Sequence, residues 1–511
     1  MLDSPAHHLV SSVPCSMEGD QVVGHARLGV GVHPSFIELF ERAADPTDAS
    51  ELARLYLARV ECMQPRNVAQ QDLAQVWHSS SRRRTMSPEE LLHSTAMTGL
   101  VKRLFNWYFR EDLYGAFRST TNLILSGGSL DPVLYGLPEC LKSCVEQAMR
   151  RDWYGYSDSR GREATREAVA RLENAKLGTS RYDARSIAIT LGGTSAVSSV
   201  ADMVLGGGRS RSSPAICAIP NYPPLVYTVG RRSPVRLVPL PCFAGRTSLA
   251  PLFNAIGPET PLVLLQTVTN PTGTRVDEDE LGRLLDVISP TTVVILDECH
   301  ECVGVGAKMT QARMRSNVVR ISSLSKIAAA PGLKVGWLAA EPKFVDEYYE
   351  YASTSYGGPP SLFYLLLEVM ARMEAWRLRG VQEIGAEHVA EFESHYDFSV
   401  SNLRDDYRMY LDKRERDDAQ LIRLRQLASS RLNLIKHGVV DCRYSINVAL
   451  NSGDTDAYSS FRHLLRAGVS VFPGDLMFCL EGGWLRVTTA VAPRVLNSGI
   501  GLMESLLGQT Q

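Results

Sequence analysis

Six short apolar runs recur along the middle of this chain: AICAIP from residue 215, VRLVPL from 235, LVLLQTV from 262, TVVILDE from 292, VVRISSL from 318 and VGWLAA from 335. They show little alternation of apolar and polar residues, so a strand made from any of them buries both of its faces. Several are separated by helical patterns such as DEDELGRLLDVI, residues 277–288. Such runs predict an α/β architecture with a largely parallel central sheet covered by helices. Ligands of a parallel sheet bind beyond the carboxyl ends of its strands. Functional residues are therefore to be sought where these runs stop.

Three polar residues stand there. Asn270 follows LVLLQTV in QTVTNPTG, Asp297 ends VVILD, and Lys326 follows VVRISSL in SSLSKIAAAPGLKVGW. Asn270 precedes Asp297 by 27 residues and Asp297 precedes Lys326 by 29, room for one strand and one helix in each interval. The three groups would sit at neighbouring strand ends. A single lysine in a small-residue loop presents its amine to a bound aldehyde, and the set fits pyridoxal phosphate (PLP). Lysine forms the Schiff base, a carboxylate facing the ring nitrogen keeps it protonated, and an amide lies beside the phenolic oxygen.

With these motifs the chain resembles the class I/II aminotransferases, the fold-type I PLP enzymes, over roughly residues 120 to 505. The resemblance implies a large cofactor domain, residues 119–345 with its entry segment, and a part from 346 to 511 holding interdomain helices and a small C-terminal α/β domain. In NLILSGGSLDPVLYGLP, Gly127 and Gly128 match a turn lying over the substrate. Tyr156, Gly161 and Arg166 match the family's tyrosine, glycine and arginine at five-residue steps. That tyrosine reaches the phosphate of the neighbouring subunit's cofactor, which implies a homodimer. Gly193, Thr194 and Ser195 open a helix after AITLG, where backbone N–H groups and small hydroxyls suit a phosphate. Tyr222 matches the aromatic residue stacked on the pyridine ring, and Ser323 a further phosphate contact. Arg486, in WLRVTTA, matches the arginine on the substrate α-carboxylate, whose planar donors meet both oxygens.

Two positions depart from the family pattern. Most relatives carry D-x-x-Y, the tyrosine donating to the cofactor's phenolic oxygen, whereas this chain has Asp297-Glu298-Cys299-His300. His300 is expected to donate in its place, with a charge that varies near neutral pH. Eight residues after the lysine, where relatives have arginine on the phosphate, stands Lys334. Lysine keeps the charge and loses the bidentate geometry.

The 511 residues suffice for two cores plus an extension. A formal net charge of -2 and 44% hydrophobic residues point to a globular chain with no polyanion partner. No stretch approaches eighteen apolar residues, and residues 1 to 30 lack a basic segment followed by an apolar core, so no membrane association and a cytoplasmic location are expected. Ten cysteines show no disulfide rhythm. Cys299 and Cys302 form a lone C-x-x-C without a second pair, so no metal site is expected. Residues 1–118 predict a helical N-terminal extension, through FIELFERA, ASELARLYLARVECM and GLVKRLFNWYFREDLYGAF. It carries 12 Lys and Arg against 14 Asp and Glu, which is no nucleic-acid footprint. The expected function is a PLP-dependent, aminotransferase-like enzyme acting on an amino-acid substrate through Lys326. The alternatives are a PLP lyase, synthase or cyclase performing β- or γ-elimination or replacement, possible substrates including S-adenosylmethionine, and more remotely a regulator on the same fold.

Overall fold

The computed structural model describes residues 24–64, 71–206, 213–301, 309–435, 437–453 and 456–508. Ile187–Thr190 (β1), Ala215–Ile219 (β2), Val235–Pro239 (β3), Leu262–Gln266 (β4), Val293–Asp297 (β5), Val318–Ser323 (β6) and Gly336–Ala339 (β7) form one sheet in the spatial order β1-β7-β6-β5-β4-β2-β3. Each apolar run became one of these strands. Every residue of β1, β2, β4, β6 and β7 is buried, as strands covered on both faces must be. Six strands run parallel, and β7 is antiparallel to both neighbours. The connection from β6 to β7 holds only the helical turns Leu324–Ile327 and Pro331–Leu333. A parallel crossover needs a longer element, so the chain reverses here.

Helices predicted before residue 118 are present as Pro34–Arg42 (α1), Ala49–Met63 (α2) and Thr95–Trp107 (α3), with a π-helical stretch over Tyr108–Ala116. They do not stand apart. One hydrophobic cluster runs from Phe36, Tyr56 and Leu100 to Val226 on one side and to Phe461 and Phe472 on the other. The segment thus packs on both the sheet domain and the C-terminal part. Glu163–Leu177 (α4) and Gly193–Leu205 (α5) cover the sheet, and Pro223–Gly230 (α6) lies against α3.

The interdomain helices expected after residue 346 include Val400–Leu432 (α7), 33 residues long. After it, Asn447–Asn451 (β8), Phe472–Pro473 (β9) and Trp484–Thr488 (β10) make an antiparallel sheet in the order β8-β10-β9. The entry segment joins this part through a parallel pair, Leu123–Ile124 with Val469–Ser470. That pairing brings Ser126, Gly127 and Gly128 beside β10. Among the described residues, no helix is long and apolar enough to cross a membrane. Cys302 and residues 1–23 of the segment read for a leader lie outside the described residues.

Candidate active site

The carboxyl ends of the parallel strands open on a cavity of about 250 Å³. Asp297 is the last residue of β5 and is in register with Gln266, the last of β4. Gln266 Nε2 donates to Asp297 Oδ2 at 2.9 Å, and the backbone N–H of Cys299 donates to Oδ1 at 3.1 Å. Both bonds fix the direction of the carboxylate. The next residue, Glu298, belongs to a separate buried ion cluster. Burial alone would push its carboxyl up, yet the guanidinium groups of Arg320 and Arg313 hold it down to about 2. Adjacent acidic residues thus serve different surroundings.

Asn270 reaches the same cavity from the loop after β4. Its Oδ1 accepts from Asn447 Nδ2 at 3.4 Å and from Arg486 Nη1 at 3.5 Å, which turns its Nδ2 donor group away from them. Lys326, in the turn after β6, donates from Nζ to the Gly128 carbonyl. The amine is thereby held at the cavity wall beside the entry turn.

One wall of the cavity forms a cradle where α5 begins. Leu191, Gly192, Gly193, Thr194, Ser323, Ser325 and Lys334 line it. Gly192 has φ of +85°, a conformation that side chains rarely adopt, and it caps α5 with no side chain bonded to the first turn. The helix therefore presents backbone N–H groups and the positive end of its dipole to the cavity. A Cβ on Gly193 would stand 2.8 Å from Cys299 Sγ, so glycine is needed there to keep the floor open. Lys334, with φ of +55°, closes the cradle from the turn before β7.

Arg486 is buried on β10 and carries no carboxylate partner among the described residues. It donates to the carbonyls of Ser126 at 2.7 Å and Gly127 at 3.3 Å, lies 4.6 Å over the Phe472 ring, and leaves Nε without a partner. Burial brings its pKa down to about 10, still charged at neutral pH. Tyr222 caps α6 at the opposite wall and is braced edge-on by Phe105 of α3, ring centroids 5.7 Å apart.

Of the residues singled out in the sequence, Gly128, Gly193, Thr194, Tyr222, Asn270, Asp297, His300, Ser323, Lys326, Lys334 and Arg486 line one cavity. Ser195 does not; it lies in the first turn of α5 beyond the wall. Tyr156 is fully exposed and outside the cavity of its own chain. Its loop is pinned where Arg166 Nε donates to the Gly161 carbonyl at 2.9 Å, which gives the five-residue step between them a physical reason. One expectation is corrected. His300 does not vary in charge near neutral pH, because burial first, then the charges of Lys326 and Arg486, push its pKa well below the ordinary value. Gln266, Cys299, Ser325 and Ser445 were not anticipated. Gln266 left a sequence signal as the polar end of LVLLQ, and Cys299 only as half of a C-x-x-C pair.

The family model for aminotransferase class I and II matches residues 132–498. The chain belongs to this family. An aromatic amino acid aminotransferase of Mycolicibacterium vanbaalenii is 31% identical over 166 residues, 31% of this chain and 44% of that protein. A probable N-acetyl-LL-diaminopimelate aminotransferase of Bacillus subtilis is 25% identical over 263 residues, 48% of this chain and 64% of that protein. The chain thus spans less than two thirds of the length of these curated relatives. A double mutant of the Thermus thermophilus aspartate aminotransferase superposes with a TM-score of 0.61 at 18% identity, over 83% of this chain and all of the other. N-succinyldiaminopimelate aminotransferase of Mycobacterium tuberculosis gives 0.60 at 19%, over 79% and 99%. These likenesses show a fold-type I architecture. The family uses PLP, and the glycine cradle at an uncapped helix start, the oriented carboxylate, the turned amide and the amine fit that group.

Proposed function

We propose that the cavity binds PLP and that the protein transfers the amino group of an α-amino acid to a 2-oxo acid. The observation that carries this reading is Arg486: a buried guanidinium with no carboxylate partner among the described residues, in the same cavity as an amine and the oriented carboxylate of Asp297. Leaving a cation so placed is costly unless a ligand supplies the negative charge.

PLP, when bound, supplies an aldehyde for amines and a ring that accepts an electron pair from the substrate α-carbon. The α5 N-terminus, Ser323 and Lys334 would hold its phosphate, Tyr222 would face its ring, and Asp297 would keep the ring nitrogen protonated. Arg486 binds the α-carboxylate and so orients the α-carbon. Lys326 Nζ then moves the proton at that carbon, as a lysine amine does when a positioned general base is needed. Gly128 brings the entry turn over this chemistry and limits water access.

Tyr156 would complete the site of a second copy in a homodimer; its exposure and pinned loop support this. Eight described cysteines are free, which suits the cytoplasm. No nucleic-acid partner belongs to this reading.

The test is a panel of amino acids with a 2-oxo acid acceptor, followed by product analysis and the cofactor's visible absorption. Amino transfer with release of a new 2-oxo acid is expected. Release of a side-chain fragment without amino transfer would place the enzyme among lyases or synthases instead. A wild-type protein that gains no visible band with PLP would overturn the cofactor assignment.

A further inference from the structure

His300 reaches the cavity wall with one ring nitrogen already engaged. Ser445 Oγ lies 2.8 Å from His300 Nδ1. Both residues are buried, at 7% and 1% exposure. Ser445 precedes β8 and is held in the left-handed region, φ +67°, where a non-glycine residue is uncommon. Its carbonyl accepts from Arg425 Nη1 at 2.7 Å, from α7. Its hydroxyl has no bond to any other described residue.

The pair has two ways to share a proton. If the serine only accepted from Nδ1–H, its own O–H would be buried with no acceptor, a loss that folded proteins avoid. If the serine donates to Nδ1, both groups are satisfied and Nε2 carries the hydrogen. The charged groups sharing the cavity with His300 do not compete for this arrangement. Asp297 is taken by Gln266 and the Cys299 N–H, while Lys326, Lys334 and Arg486 are cations that accept nothing. We infer that Ser445 is a positioning residue that fixes His300 as the neutral Nε2–H tautomer. The chain thereby offers the cavity a hydrogen-bond donor where the family's D-x-x-Y motif offers a tyrosine hydroxyl. The inference rests on the cavity being a PLP site, and the acceptor is an anionic ring oxygen.

The direct test is nitrogen-15 NMR of protein labelled at histidine, with the His300 signals assigned by their loss in H300Q. Wild type is expected to show Nε2 protonated and Nδ1 bare. S445G removes the hydroxyl while suiting the left-handed backbone, and S445A removes it with the Cβ kept; both should show mixed tautomers. An Nδ1-protonated His300 in wild type, or an unchanged pattern in S445G, overturns the inference. In the holoenzyme, the pH midpoint of the visible cofactor band should rise by about one unit in S445G, because an anionic oxygen has lost its donor. The same substitution in an H300Q background, whose amide needs no tautomer, should leave the midpoint in place. An equal shift in both backgrounds would mean that Ser445 acts through shape alone. Absence of any visible band in wild type would fail the cofactor reading and not this one, since the nitrogen signals report the pair without cofactor.

Discussion

Two buried arginines at the small domain have opposite surroundings. Arg462, on the helix Ala457–Arg466, meets Glu61 of α2 at 2.8 Å and lies 3.8 Å from Asp112. Beside it, Arg59 pairs with Asp456 at 3.1 Å and Tyr56 donates to Asp475 at 2.7 Å. This seam ties the N-terminal helices to the small domain with charges that answer one another. Arg486, on the neighbouring strand β10, has backbone carbonyls and a ring for company and no carboxylate among the described residues. A buried charge whose partner lies within the chain belongs to the fold, whereas one whose partner is missing is kept for a ligand.

The largest effect tests the ligand side. Lys326→Ala should leave the melting temperature close to that of wild type, abolish the visible band and lower kcat by about 10³-fold or more. A variant that loses its fold instead would mean that the cleft contributes to stability as the seam does.

A pair of variants then separates the arginines directly. Arg462→Met strands Glu61 in the interior and should cost about 3–5 kcal/mol of stability in denaturant unfolding, with KM little changed in whatever protein remains folded. Arg486→Met removes a cation that the fold does not pair, so it should cost far less stability. It should raise KM for the amino acid by about 10- to 100-fold, the worth of a charge-assisted hydrogen bond. Equal stability losses would erase the distinction.

Sequence and structure diverge along the same line. Asn270, Asp297 and Lys326 were legible because an apolar run marks a buried strand and its end marks the ligand side of a parallel sheet. The antiparallel β7 was not, since VGWLAA is as apolar as the strands that run the other way. The seam was invisible for another reason. Arg59, Glu61 and Asp112 look like the polar faces of amphipathic helices, and their partners, Asp456 for Arg59, Arg462 for Glu61 and the donating Tyr458 hydroxyl for Asp112, lie more than three hundred residues away. The helix GLVKRLFNWYFREDLYGAF did show, because its apolar pattern needs no named partner; its Tyr108 packs on Phe461 and Phe472. Ser445 stayed hidden because its contact with His300 spans 145 residues and a lone serine announces nothing.

The seam also has a pH dependence opposite in sign to the one that buried, neutral His300 gives the cleft. Burial first, then the charge of Asp456, raises the Asp475 carboxyl to about 7, against the opposing effects of the Tyr56 hydroxyl and Arg59. An acid whose folded value lies above its unfolded one binds protons more tightly when folded, so stability falls as pH rises through the interval between them. The contribution of Asp475 to stability should therefore drop between about pH 4 and pH 7 and level off above, while that of His300 rises with pH up to about 6.5. Asp475→Asn should flatten that slope without moving KM. An unchanged slope in this variant would assign the dependence to another group.

The smallest effect lies at Lys334. Lysine meets a phosphate as a point charge, whereas arginine offers a planar fork to two oxygens. The backbone at Lys334 is already left-handed, and the residue is exposed at the rim, so a longer side chain there meets no packed core. Lys334→Arg should slow PLP loss during dialysis by a few-fold, about what one added charge-assisted hydrogen bond gives after its ordering cost. Stability of the apoprotein should not move. Faster loss in the arginine variant would mean that the phosphate is held by the α5 N-terminus and Ser323, with Lys334 contributing charge at a distance rather than a directed bond.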